Sequence, residues 1–222
     1  LIKVKNLVKV YQNKLIIKKL NISIKRGESV AIVGPPKSGK TTLCNQLLGL
    51  INPTSGEIIV NGSMAIEKPE NFLQNLRLVS EEMNLFKDIS ISKFLSIYSR
   101  FYSDIDESFF NYAINLFNVN LDKIIGELTT EEKHCVSLVC AFMLKPTVLI
   151  LDEPKKILGL KNQVNFDKVI KLLQSYGSTI IIFSENLKEI KSICNRVEYI
   201  KNGKLINKNE KNNDDKHDIS SK

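Results

Sequence analysis

The stretch Gly34-Pro35-Pro36-Lys37-Ser38-Gly39-Lys40-Thr41 constrains this chain more than any other. It fits G-x-x-x-x-G-K-[ST], the P-loop pattern, which arises by chance in roughly one chain per hundred of this length at background frequencies. Its flanks match as well. Ser29-Val30-Ala31-Ile32-Val33 before it reads as a short strand buried on both faces, and Lys40–Leu50 after it reads as a helix. Gly34 and Gly39 let the backbone turn so that successive N–H groups point inward at phosphate oxygens. The helix N-terminus adds positive potential there. Lys40 reaches the β- and γ-phosphates, and the Thr41 hydroxyl is a ligand for Mg²⁺. Thr42 completes the phosphate-binding run Gly34–Thr42. Pro36 removes one N–H and Lys37 adds a positive charge, yet the consensus is met.

A second element supports the first. Val148-Leu149-Ile150-Leu151-Asp152-Glu153-Pro154 is an apolar strand ending in two carboxylates, the form of a Walker B motif. Asp152 is expected to hold Mg²⁺ through water, and Glu153 to orient or deprotonate the attacking water. Alone this is weak, since strands often end in acidic residues. With a P-loop upstream, both are expected at the carboxyl edge of one parallel sheet.

The rest of the chain fits an α/β class. Alternation over Ile2–Ile24 predicts an antiparallel N-terminal meander, and Asn61-Gly62 after Glu57–Val60 predicts a hairpin. From about Met83 to Lys145, apolar and aromatic residues recur at spacings of three and four, which predicts an inserted helical subdomain over about 83–145. Leu76–Val79, Thr147–Leu151 and Thr179–Phe183 read as strands, and Gln163–Ser175 as a helix. Residues 207–222 are almost devoid of apolar side chains and predict a disordered polar tail after a folded domain over 1–206. No run approaches the ~18–20 apolar residues that span a bilayer, and the opening residues do not set a charged stretch before an apolar one, so secretion is not expected. The four cysteines, Cys44, Cys135, Cys140 and Cys194, have no zinc spacing and read as reduced thiols, mostly in the core.

The net charge of +8 raises nucleic acid as a partner. Only four of the 32 basic residues are Arg, however, and no aromatics interleave with the lysines. No nucleic-acid partner is expected. The same scarcity of Arg argues against a small-molecule kinase, and the lack of sustained heptads argues against a coiled-coil ATPase.

The order P-loop, helical insert, then Leu-Asp-Glu-Pro after an apolar strand resembles the ATP-binding subunit of ABC transporters, over residues 1 to about 206. The resemblance implies a P-loop NTPase (RecA-like) parallel-sheet core carrying an antiparallel β subdomain and an α-helical one. It implies ATP and Mg²⁺ as ligands, a separate membrane permease as partner, and a homodimer or heterodimer of ATP-binding subunits. The chain would then sit in the cytoplasm, peripheral on the inner face of the membrane. Tyr11 stands where the family has an adenine-stacking aromatic. The Q-loop position falls on Glu81, a further Mg²⁺ ligand (or on Glu82). Phe101–Leu128 looks most like the short exporter branch.

Four family positions are chemically altered. The signature Leu-Ser-Gly-Gly-Gln becomes Leu128-Thr129-Thr130-Glu131-Glu132, the D-loop aspartate is Gly159, the switch histidine is Glu185, and the Q-loop glutamine is Glu81. Thr129-x-x-Glu132 is itself a capping box, so the helix is kept while its anion site is expected to be lost. A carboxylate at Glu185 cannot donate to a phosphate at neutral pH. ATP binding is therefore a firmer expectation than hydrolysis, which is expected to be slow or partner-dependent. The alternative is a nucleotide-binding regulatory subunit without useful turnover.

Overall fold

A computed structural model of the chain describes residues 1–67, 76–80, 85–102 and 105–206. Glu81, Glu82, Met83 and the polar tail 207–222 lie outside the described residues. The chain divides into two units. One holds residues 1–25, 29–67 and 182–206, and the other holds 26–28, 76–80, 85–102 and 105–181, counting described residues only.

In the first unit, β1 (Ile2–Tyr11) and β2 (Lys14–Ile24) pair antiparallel, as the alternation predicts. Their inward positions Ile2, Val4, Leu7, Ile17, Leu20 and Ile24 are almost fully buried. β4 (Ser55–Val60) pairs antiparallel with the other edge of β1, then turns back into β5 (Ser63–Met64). The turn is built by Asn61 and Gly62, both at positive φ (54° and 88°), as a two-residue hairpin of the mirror-image type requires.

β3 (Ser29–Val33) is buried at all five positions and runs parallel to β9 (Arg196–Lys201). β9 in turn pairs antiparallel with β10 (Lys204–Ile206). The helix α1 (Lys40–Leu47) follows the loop after β3. It ends three residues before the predicted Leu50, because Gly49 takes φ 64°.

In the second unit, β6 (Leu76–Val79) and β7 (Val148–Asp152) run parallel. Between them lie α2 (Ile91–Ser99), α3 (Glu107–Phe117) and α4 (Thr130–Phe142), followed after β7 by α5 (Leu160–Ser175). The first two helices start on side-chain caps, Ser90 accepting from the Lys93 N–H and Asp106 from the Phe109 N–H. Ile91, Phe94 and Leu95 pack with Ile125, Leu128, Val136 and Cys140 into one apolar cluster. Burial pushes the Cys135 and Cys140 thiols up to about 12, so both stay protonated core groups at neutral pH. The helix α5 starts at Leu160, three residues earlier than its apolar period suggests, for a reason given by its N-terminus below.

β8 (Thr179–Ser184) passes from the second unit into the first. Its start is tied within the second unit by the Thr179 N–H to the Thr147 carbonyl (2.9 Å), and its end within the first by the Gly34 N–H to the Ser184 carbonyl (3.2 Å). A short helix α6 (Leu187–Ile190) follows.

Candidate functional site

The P-loop lies in the first unit. β3 carries the chain into Gly34 in a fully buried setting, and here only glycine fits: a Cβ would stand 2.2 Å from the Ile200 carbonyl oxygen and 2.8 Å from Ser38 Oγ. Pro35, Pro36 and Lys37 are exposed, with Lys37 in the left-handed region at φ 62°. The Ser38 N–H closes the turn onto the Pro35 carbonyl at 3.2 Å. Gly39, at φ 108°, is the N-cap of α1, and its carbonyl accepts the first helical bond from Leu43 at 2.9 Å. From the far side, the Gly203 N–H donates to the Ser38 carbonyl at 2.9 Å, so the last hairpin buttresses the loop.

Two side chains give this loop its chemistry. Lys40 is 6% exposed and curls back over its own loop, donating to the carbonyls of Gly34 (2.7 Å) and Pro35 (3.1 Å). Ser38 is 3% exposed, and its Oγ has no hydrogen-bond partner among the described residues. A buried cation and a buried, unsatisfied hydroxyl on a turn that opens a helix form a donor set suited to phosphate oxygens. Thr41 is exposed and Thr42 half-buried on the first turn of α1. Glu185, the residue after β8, brings its Oε1 to 3.5 Å from Lys40 Nζ. Tyr11 ends β1 at 40% exposure, with Lys9 Nζ 4.7 Å from its ring centroid.

The carboxylate pair lies in the second unit. Asp152 closes β7 and Glu153 follows in the left-handed region at φ 49°. Both are half-buried, with Asp152 Oδ1 and Glu153 Oε1 turned fully inside. A glutamate at positive φ costs roughly 1 kcal/mol, and such strain persists only where the surroundings hold it. Two contacts do so. The Lys156 N–H closes a turn onto the Glu153 carbonyl at 3.2 Å, and His134 Nε2, wholly buried on α4, donates to the Pro154 carbonyl at 2.8 Å. Nothing near His134 in the sequence marks it for this role. Its link to Pro154 spans 20 residues of chain and has no local signal.

The residues expected from the sequence to be an altered signature open α4. The capping box is complete, with the Glu132 N–H donating to Thr129 Oγ1 (3.2 Å) and the Thr129 N–H to Glu132 Oε2 (2.9 Å). Lys123 Nζ adds an ion pair to Glu132 Oε1 at 2.7 Å. That ammonium and the Thr129 N–H hold the Glu132 carboxyl down at about 2, well below the usual range.

Glu131 does not project alone, as a bare carboxylate in an anion site would. Its Oε1 accepts from the Gly159 N–H (2.9 Å) and from Asn162 Nδ2 (2.8 Å). Gly159 is the N-cap of α5 and has no side chain to cap with, so Glu131 supplies the missing acceptor from another helix. This capping is why α5 begins at Leu160. Glu131 and Asn162 border a cleft of about 370 Å³ that Lys123, Asn120 and Lys161 also line. Among the described residues, no group of three or more His, Cys, Asp or Glu is arranged to hold a metal ion.

Known proteins resemble this chain in sequence and in fold. Residues 17–156 match the family described as ABC transporter. The chain is 28% identical over 212 residues to the uncharacterized ABC transporter ATP-binding protein YcbN of Bacillus subtilis, covering 93% of this chain and 68% of that protein. It is 28% identical over 208 residues to the lantibiotic transport ATP-binding protein SrtF of Streptococcus pyogenes, covering 93% and 89%. In fold it resembles an ATP-binding cassette, MJ0796, solved as a dimer in a post-hydrolysis state with ADP and Pi, at a TM-score of 0.81 over 93% of this chain and 97% of that one, with 20% identity. With a P-loop, an aspartate–glutamate strand end and the cassette fold in one sequence, the chain belongs to the ABC transporter family, as an ATP-binding subunit.

Proposed function

We propose that this subunit binds Mg-ATP through Gly34–Thr42, with Thr41 and Asp152 as Mg²⁺ ligands and Glu153 as the general base, and that it hydrolyses ATP slowly or only with a partner. Bound Mg-ATP supplies the phosphoanhydride bond whose cleavage the family couples to transport. The observation that carries the binding half is the buried pair Lys40 and Ser38 on the loop after β3. The weak turnover is supported by Glu131, whose carboxylate stands where the family has glycine, and by Glu185, which cannot donate to a phosphate while ionised. Glu81 remains a proposed Mg²⁺ ligand on sequence grounds alone, and Tyr11 the proposed adenine-stacking ring.

Partner and place follow from the family. A separate transmembrane permease is the proposed partner, which puts the subunit at the inner face of the membrane. No helix among the described residues is long and apolar enough to cross it. A dimer of ATP-binding subunits is proposed, with itself or with another chain. The exporter-like branch is proposed from the resemblance of Phe101–Leu128 to it.

A second reading has an observation in its favour. The contact between Glu185 and Lys40 places an anion beside the phosphate-binding cation, which suits a regulatory subunit that binds nucleotide without useful turnover. Mg-ATP binding and single-turnover hydrolysis on the purified chain, beside Lys40→Ala and Glu153→Gln, separate the two. Hydrolysis that Glu153→Gln abolishes establishes a working ATPase. Binding that Lys40→Ala abolishes, with hydrolysis at background, establishes the regulatory subunit. The absence of nucleotide binding refutes both.

A further inference from the structure

The lysine of a P-loop is the group that meets the β- and γ-phosphates, and in this chain it already has a carboxylate beside it. Glu185 Oε1 lies 3.5 Å from Lys40 Nζ, which also donates to the carbonyl oxygens of Gly34 and Pro35. Backbone on both sides holds Glu185 there. The residue before it, Ser184, is buried and accepts the Gly34 N–H through its carbonyl. The residue after it, Asn186, donates its N–H to Ser184 Oγ at 3.0 Å. The backbone that carries the carboxylate is therefore held beside the loop, although the two residues are far apart in sequence. The side chain is 41% exposed, so its charge is screened but not cancelled.

We propose that Glu185 is a specificity-determining residue of this nucleotide site, an internal anion that makes the loop hold a nucleoside diphosphate in preference to the triphosphate. The inference rests on the phosphate-binding reading above and deepens it. Any oxyanion that takes Lys40 as its counter-ion shares that ammonium with Glu185. The repulsion it meets grows with its own charge, and a triphosphate brings about one more negative charge than a diphosphate. A donor at this position would favour the triphosphate; a fixed acceptor does the reverse. A subunit built this way keeps its spent nucleotide and exchanges it reluctantly.

The test is calorimetric titration of the full chain with ADP and with a non-hydrolysable ATP analogue, both with Mg²⁺, for the wild type, Glu185→Gln and Glu185→Ala. Glutamine keeps the shape and removes the charge, and alanine guards against a new hydrogen bond from the amide. The expected result is a wild-type preference for ADP, and a shift of the affinity ratio toward the triphosphate by about tenfold in both variants, smaller at high salt. A ratio that stays within about twofold while both ligands bind overturns the proposal and leaves the phosphate site standing. Binding of neither nucleotide by any of the three proteins overturns the proposal together with the reading it rests on.

Discussion

The carboxylate of Glu131 accepts the backbone N–H of Gly159 at 2.9 Å, and with it the side-chain amide of Asn162 at 2.8 Å. Two positions read from the sequence as departures from the family pattern thus meet each other. Glycine at 159 leaves the start of α5 without a side-chain cap, and glutamate at 131 provides one, with a charge of the sign that a helix N-terminus favours.

Removing that cap has a measurable cost. Glu131→Ala is expected to lower stability by about 1 kcal/mol, the usual value of an N-cap, and Glu131→Gln by less because the amide oxygen still accepts. Urea unfolding reads this directly. Equal stability for wild type and Glu131→Ala would show that the contact contributes nothing.

At Glu153, backbone and side chain can be separated. Its φ of 49° strains any residue with a Cβ, whereas glycine is at ease there. Glu153→Gly and Glu153→Ala lose the same carboxylate, so the glycine variant is expected to be the more stable of the two by about 1 kcal/mol. Both are expected to lack single-turnover hydrolysis. Thermal unfolding of the pair, beside the hydrolysis assay, checks this; an alanine variant at least as stable as the glycine one refutes the strain.

Acid acts on the start of α4 through Glu132. Its carboxyl is held at about 2 rather than 4.5, first by the Lys123 ammonium and then by the Thr129 N–H. A depressed pKa means stability that is fully present above the unfolded value and is lost as the pH falls toward the folded one. Its contribution should therefore fade between about pH 4.5 and 2. Glu132→Gln is expected to flatten the fall of the melting temperature in that window, with Lys123→Met doing so in part. Parallel pH profiles for the three proteins would count against it.

Much of this was legible from local pattern. The P-loop, the carboxylate strand end, the Asn61-Gly62 turn and the Thr129–Glu132 box are each contained within a few residues, where spacing and backbone preference decide the outcome. The start of α5 was not, because its cap is a side chain from α4, and helical periodicity sees only the apolar positions that begin near Gln163. Nor did any local signal tie Glu185 to Lys40 or His134 to Pro154. Those contacts depend on which strand ends and helices the fold brings together, and a charge read in isolation looks unpartnered. Glu131 is the clearest case: read along the chain it is an intruding anion, while in the fold it is a helix cap.

The parallel pairing of β3 with β9 has a consequence for biosynthesis. The Ser29 N–H meets its acceptor, Asn195 Oδ1, across 166 residues of chain. While the ribosome makes everything between them, the most apolar strand of the first unit waits without the neighbour it will lie against. Contacts this distant in sequence form late and slowly. The phosphate loop, anchored at its two ends by Ser184 and Gly203, is thus among the last features to take shape on the nascent chain. A polypeptide cut short between α1 and β9 would carry a complete P-loop sequence and no finished P-loop.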